Sequence, residues 1–337
     1  MLHIDKRVKT LDASWAGAVP EQVLSSTEPL ILKGLVSSWP LAKAGKESII
    51  AADKYIRQFY NDTPVTAFCG EPAIGGRIFY NENLTGFNYQ IMSENLNILL
   101  DRLLQHLDAD QPPTFYVGST LIDNWLPGFR AHNDIEIGDY HPLASIWVGN
   151  RSRIAAHYDF PDNIACCVVG RRRFTLFPPE QLPNLYVGPL DFTPAGQAIS
   201  LVDFHDPDYE RYPLFRQAVD VAQVAELEVG DALFIPSMWW HHVESLESYN
   251  VLVNYWWRRT PGYLGSPTNV LNHALLSLRH LPKEQRRAWR AIFDHYIFEG
   301  REDAVAHVPE TSRGVLSPMN ETLARRMRAE LLNKLNR

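Results

Sequence analysis

Cysteine is scarce: Cys69, Cys166 and Cys167 are the only three in 337 residues, and two of them are adjacent. That excludes a disulfide framework and predicts free thiols in a reducing, cytoplasmic setting. Long apolar runs are missing too. Ile164–Val169 is strand-sized, far short of the ~20 residues that cross a bilayer, so no membrane span is expected. The opening segment, Met1 to Arg7, lacks the apolar stretch of a secretory signal. Basic residues do not dominate either: 32 Lys and Arg against 39 Asp and Glu leave a net charge of −7. A dedicated nucleic-acid partner is therefore not expected. Internal repeats and low-complexity linkers are absent, which excludes solenoids and arrays.

What the chain does have is an apolar content of 45% with 9 Trp, 14 Tyr and 23 Pro. The length suits one large domain with appendages, or two domains. The aromatics and prolines suit a β core with many turns and an aromatic-lined pocket. Residues 1–112 read as an N-terminal α/β extension packed on a core. There, 29–34 is a short strand ended by Gly34, and helical spacing marks 48–60 and 95–107. From 113 to 258 the texture changes to short apolar or alternating runs broken by Gly, Pro, Asn and Asp. Candidate strands are 114–118, 144–148, 163–169, 172–177, 231–235 and 249–257, a spacing that predicts a sandwich or barrel of antiparallel strands. Residues 259–337 turn helical, with apolar stripes over 268–281 and 283–299 and a last helix capped by Asn320.

The chemistry-bearing segment is His157-Tyr158-Asp159. On a strand, residues i and i+2 share a face, so imidazole and carboxylate converge. A third ligand must come from elsewhere, and the segment Gly230 to Val243 offers two, His241 and His242. Two His and one carboxylate with open positions form the facial triad of non-haem Fe(II) oxygenases. Alone, His-x-Asp is common by chance; joined to the Gly-Asp…Pro…Trp-His element downstream, it is specific.

At these residues the chain resembles the JmjC and cupin-like Fe(II)- and 2-oxoglutarate-dependent dioxygenases, and within them the asparaginyl hydroxylase called factor inhibiting hypoxia-inducible factor. The resemblance is dense over 116–121, 154–186 and 230–257, about half the chain, and loose before residue 110. It implies a mainly β fold, a double-stranded β-helix (jelly-roll) core with flanking N-terminal α/β elements and C-terminal helices. It implies that His157, Asp159 and His241 bind Fe(II), with His241 chosen because it follows Trp240, and that His242 points off the metal. It implies further that Arg172 and Tyr116 grip the distal carboxylate of 2-oxoglutarate, with Asn163 and Asn254 beside metal and cosubstrate. A guanidinium can hold a carboxylate through two parallel hydrogen bonds. Arg171 and Arg173 alternate outward and read as a solvated face. Trp256 walls the pocket. Two departures stand out: Ile154 replaces a Thr that would bond the cosubstrate, and Gly118 replaces a Gln that holds the relative's peptide substrate.

The expected activity is hydroxylation of a C–H bond in a protein side chain or small molecule, consuming O2 and releasing succinate and CO2. The alternatives are an N-methyl-lysine demethylase and a cupin that only binds metal. Specificity is expected in the loops 119–143 and 186–215. The resemblance also implies a homodimer through the C-terminal helices.

Overall fold

The computed structural model describes residues 2–15, 17–194, 196–299 and 302–336. Fourteen strands among them are, in chain order, β1 (Lys9–Asp12), β2 (Leu30–Lys33), β3 (Val65–Gly70), β4 (Arg77–Ile78), β5 (Gln90–Glu94), β6 (Thr114–Leu121) and β7 (Leu143–Gly149). They continue as β8 (Arg153–Tyr158), β9 (Asp162–Val169), β10 (Arg172–Phe177), β11 (Gln223–Leu227), β12 (Ala232–Ile235), β13 (Trp240–Ser245) and β14 (Asn250–Trp257). Nine form a major sheet in the order β1-β2-β12-β9-β14-β7-β6-β3-β5, and five a minor sheet, β11-β10-β13-β8-β4.

The sheets face each other across one apolar layer. Ala165, Cys167, Leu233, Ile235 and Leu252 come from the major sheet, and Phe174, Leu176, Ala225, Leu227 and Val243 from the minor one. Strand β9 shows why the sequence reads apolar there without alternation. Ala165 and Cys167 face this layer, while Ile164, Cys166, Val168 and Val169 pack in the cluster that holds the helices Pro40–Glu47, Ile49–Arg57 and Leu96–Gln105. A strand buried on both faces has no polar side to show. The outer face of the minor sheet is covered in turn by Leu185, Phe204 and Phe215 against Phe177 and Trp240. This arrangement is the double-stranded β-helix with flanking helices.

Local rules set the element ends. Asn95 accepts a 2.9 Å hydrogen bond from the Asn97 N–H and starts its helix, worth about 1 kcal/mol. Pro178 and Pro236 stop β10 and β12 because proline has no ladder donor. Before β12, Gly230 holds φ +105°, and a Cβ there would lie 2.2 Å from Ser37 Oγ. Asp231 ties this turn to β2, accepting from Lys33 Nζ at 2.8 Å and from the Gly34 N–H at 3.0 Å.

In the N-terminal segment, β3 and β5 extend the major sheet beside β6, and Met1–Arg258 is one compact unit. The segment around His241 is strand β13. One expectation is corrected: Asp159 is not on a strand, because β8 ends at Tyr158. The second unit, Arg259–Arg337, contains the helices Pro267–Ser277, Lys283–Phe293 and Glu321–Leu335.

Candidate active site

Strands β8 and β13 are hydrogen-bonded neighbours whose register sets His157 opposite His241, with ring centroids 4.4 Å apart. Each imidazole is held by its own strand: His157 Nδ1 lies 2.9 Å from the Ala155 carbonyl, and His241 Nδ1 3.0 Å from the Trp239 carbonyl. A carbonyl only accepts, so both Nδ1 atoms carry the proton and both Nε2 lone pairs are left for a metal. Burial, aided by the neighbouring His157, pushes His241 down to about 4. The ring is neutral, as a metal ligand must be.

Asp159 reaches the same point from just beyond β8. Its carbonyl accepts a 2.9 Å hydrogen bond from the Met238 N–H. Met238 has φ +69°, a conformation costing on the order of 1 kcal/mol or more for a side-chain-bearing residue. This turn brings the chain back so that His241 follows in register. One ligand atom each from His157, Asp159 and His241 lie within 4.8 Å of one another, the one such group of three among the described residues. Asp159 Oδ2 accepts from Trp256 Nε1 at 3.0 Å and from Asn163 Nδ2 at 3.4 Å. Behind these, Asn254 Nδ2 donates to Asn163 Oδ1 at 3.5 Å, and Trp147 Nε1 donates to Asn254 Oδ1 at 2.7 Å. The carboxylate is therefore aimed by a polar chain running through the major sheet.

These groups open onto a cavity of about 330 Å³ between the sheets. Arg172, on β10, lines it at 1% exposure, and its Nε and Nη2 have no hydrogen-bond partner among the described residues. Burial lowers its pKa, yet a guanidinium starts so high that it stays charged. Tyr116 lines the same cavity; burial raises its phenol, which stays protonated and able to donate. A buried cation with unmet donors beside a phenol suits a carboxylate ligand. The donor set of two imidazoles and one carboxylate suits a ferrous ion.

All ten residues singled out in the sequence line this cavity: Tyr116, Gly118, Ile154, His157, Asp159, Asn163, Arg172, His241, Asn254 and Trp256. His242 lies on the other face of β13, stacked on Phe204 at 4.6 Å and 3.9 Å from Glu244. Of the two neighbours of Arg172, Arg171 is exposed and pairs with Glu247, but Arg173 is not solvated. Its side chain is 11% exposed, 3.9 Å from the buried Glu244 and beneath the N-terminal segment. Missed in the sequence were Phe68 on β3, Ile78 on β4 and Trp147 on β7. Trp147 carried a usable signal, since alternation on β7 puts it on the same face as Ser145, opposite Ile146 and Val148, which are buried on the helical side of the sheet. Ile78 carried none.

The Cupin-like domain family matches residues 16–263 of this chain. Among similar proteins, tRNA wybutosine-synthesizing protein 5 of Gallus gallus is 37% identical over 145 residues, 39% of this chain and 42% of that protein. Lysine-specific demethylase JMJ31 of Arabidopsis thaliana is 36% identical over 125 residues, 36% of this chain and 22% of the relative. HSPB1-associated protein 1 of Homo sapiens is 31% identical over 150 residues, covering 43% and 30%. The chain thus spans less than half the length of these relatives.

Proposed function

The chain belongs to the cupin-like domain family, and from that premise we propose that it is an Fe(II)- and 2-oxoglutarate-dependent oxygenase hydroxylating an unactivated C–H bond. A ferrous ion held by His157, Asp159 and His241 would supply O2 activation coupled to decarboxylation of 2-oxoglutarate to succinate and CO2. In this reading Arg172 and Tyr116 bind the far carboxylate of 2-oxoglutarate, and Trp256 and Asn163 hold the Asp159 carboxylate in place. The apolar layer around the cavity keeps water away from the reacting carbon.

The observation that carries the proposal is the buried Arg172, whose unmet donors share a cavity with the three ligands. A cupin that merely bound metal would have no use for it, because an unpaired buried charge is strongly destabilising. The test is conversion of 2-oxoglutarate to succinate on addition of ferrous iron. Wild-type turnover with loss of it in Arg172→Ala supports the reading; no turnover in either leaves the metal-binding cupin.

The names of the relatives point to different substrates, and that of JMJ31 favours a second reading, removal of a methyl group from lysine. The likeness to the asparaginyl hydroxylase rests on the motif residues of the sequence, and Gly118 weakens it as a guide to substrate.

We propose further that two copies associate through the C-terminal unit. Leu276 is 78% exposed and Phe298 74%, and Trp289, Ile292, Tyr296 and Ile297 are also exposed. So many large apolar groups at the surface of one unit mark an association site, and a closed twofold contact covers them with a second copy of the same stripe. No helix among the described residues is long and apolar enough to cross a membrane. Three free cysteines, two of them fully buried, fit a cytoplasmic setting.

A further inference from the structure

We propose that the cavity selects an apolar group of the substrate over a primary amide, and that Trp147 is the residue that sets this choice. The argument begins at Gly118. A Cβ there would lie 3.0 Å from Trp147 Cζ3 and 3.3 Å from Phe68 Cε2. The glycine is not required by its backbone, since its φ is not positive; the two rings crowd the position instead, and even a Cβ would make them give by a few tenths of an ångström. A side chain at 118 would press on the Trp147 ring.

Trp147 is held firmly. Its Nε1 donates to Asn254 at 2.7 Å, its ring lies 5.8 Å from Tyr116, and it meets Trp256 at 5.8 Å and 85°. The two indoles form a right-angled corner beside Asp159. Ile78, Ile154, Ile199 and Phe68 line the same cavity.

The hydrogen-bonding groups of the cavity are already committed. Both indole N–H groups and the amides of Asn163 and Asn254 bond to one another or to Asp159. Arg172 and Tyr116 carry the remaining donors, which the proposed function assigns to 2-oxoglutarate. Ser119 offers a hydroxyl only from an exposed position. With a metal on the imidazole Nε2 atoms and 2-oxoglutarate on Arg172, a primary amide placed in the indole corner would give up water without replacement, which weakens binding by about tenfold or more. An aliphatic or aromatic group loses nothing and gains contact with two ring faces.

The inference rests on the oxygenase reading for the groups given to metal and 2-oxoglutarate; selection itself is measurable without turnover, with manganous ion in place of ferrous. N-acetyl-leucinamide and N-acetyl-asparaginamide are titrated, with manganous ion and 2-oxoglutarate present, while following tryptophan fluorescence. The leucine probe should bind at least about tenfold tighter than the asparagine probe. Trp147→Ala should lose that preference and Trp147→Phe keep most of it, with melting temperatures verifying that both variants fold. Equal or tighter binding of the asparagine probe, no binding of either probe, or an unchanged preference in Trp147→Ala overturns the inference. Succinate formation, measured in parallel, separates the two claims. Absent turnover with the leucine preference intact sinks the oxygenase reading and supports selection; turnover with the preference reversed sinks selection alone.

Discussion

Trp256 Nε1 donates to the same Asp159 oxygen, Oδ2, that lies 3.7 Å from His241 Nε2. The indole thereby stops the carboxylate from rotating about its terminal bond and fixes which edge it turns toward the two imidazoles. Trp256→Phe keeps most of the ring and removes the donor. Metal affinity should fall roughly 10- to 100-fold, the usual effect of losing a group that orients a ligand. Titration with ferrous or manganous ion measures it, and an unchanged affinity would show that the carboxylate needs no such restraint.

Arg172 separates stability from function. Its guanidinium is buried with two donors unmet, so replacing it by Met should raise the melting temperature of the metal-free protein. The same substitution should raise the KM for 2-oxoglutarate by an amount on the order of 2–5 kcal/mol, with metal affinity unchanged. A lower melting temperature together with an unaltered KM would make Arg172 a structural residue.

The protonation of His241 predicts a pH dependence of folding. Its unfolded value is 6.5 and its folded value about 4, lowered by burial and then by His157. A depressed value means that the unfolded chain binds the proton first as pH falls. The stability contribution is therefore present above pH 6.5 and lost between about 6.5 and 4, on the order of 3 kcal/mol. His242, which burial also pushes well down, acts in the same direction. Metal-free His241→Asn should show a flatter melting temperature between pH 7 and 4; a slope equal to wild type would rule out this source.

Self-association is tested by sedimentation at micromolar concentration. The wild type should run as a dimer, and Trp289→Glu with Phe298→Glu as a monomer whose 2-oxoglutarate binding is retained. A monomeric wild type would leave the C-terminal stripes to some other partner.

The sequence was most legible where one residue type has one job. Apolar runs bounded by Gly and Pro located β9, β12 and β14 to within about two residues, because a doubly buried strand has few other ways to look. The convergence of His157, Asp159 and His241 was legible because His-x-Asp joined to a downstream Trp-His is far rarer than His-x-Asp alone. Less legible were pairings over long sequence distances. Nothing local in Phe68 or Ile78 says that β3 joins the major sheet or that β4 lies beside β8. The alternation over Arg171–Arg173 misread Arg173 because the N-terminal segment covers it, a tertiary contact with no local sign. The Gly118–Trp147 relation was half visible: the missing side chain could be read, but not the ring that fills its place.

The most direct test of the account compares two adjacent histidines. Succinate formation from 2-oxoglutarate with added ferrous iron is measured for wild type, His241→Ala and His242→Ala, each verified to be folded. His241 offers its Nε2 to the metal position, whereas His242 stacks on Phe204 across the strand. Wild type and His242→Ala should turn over 2-oxoglutarate, and His241→Ala should fall to background. Turnover surviving in His241→Ala, or none in the wild type, would contradict the central claim.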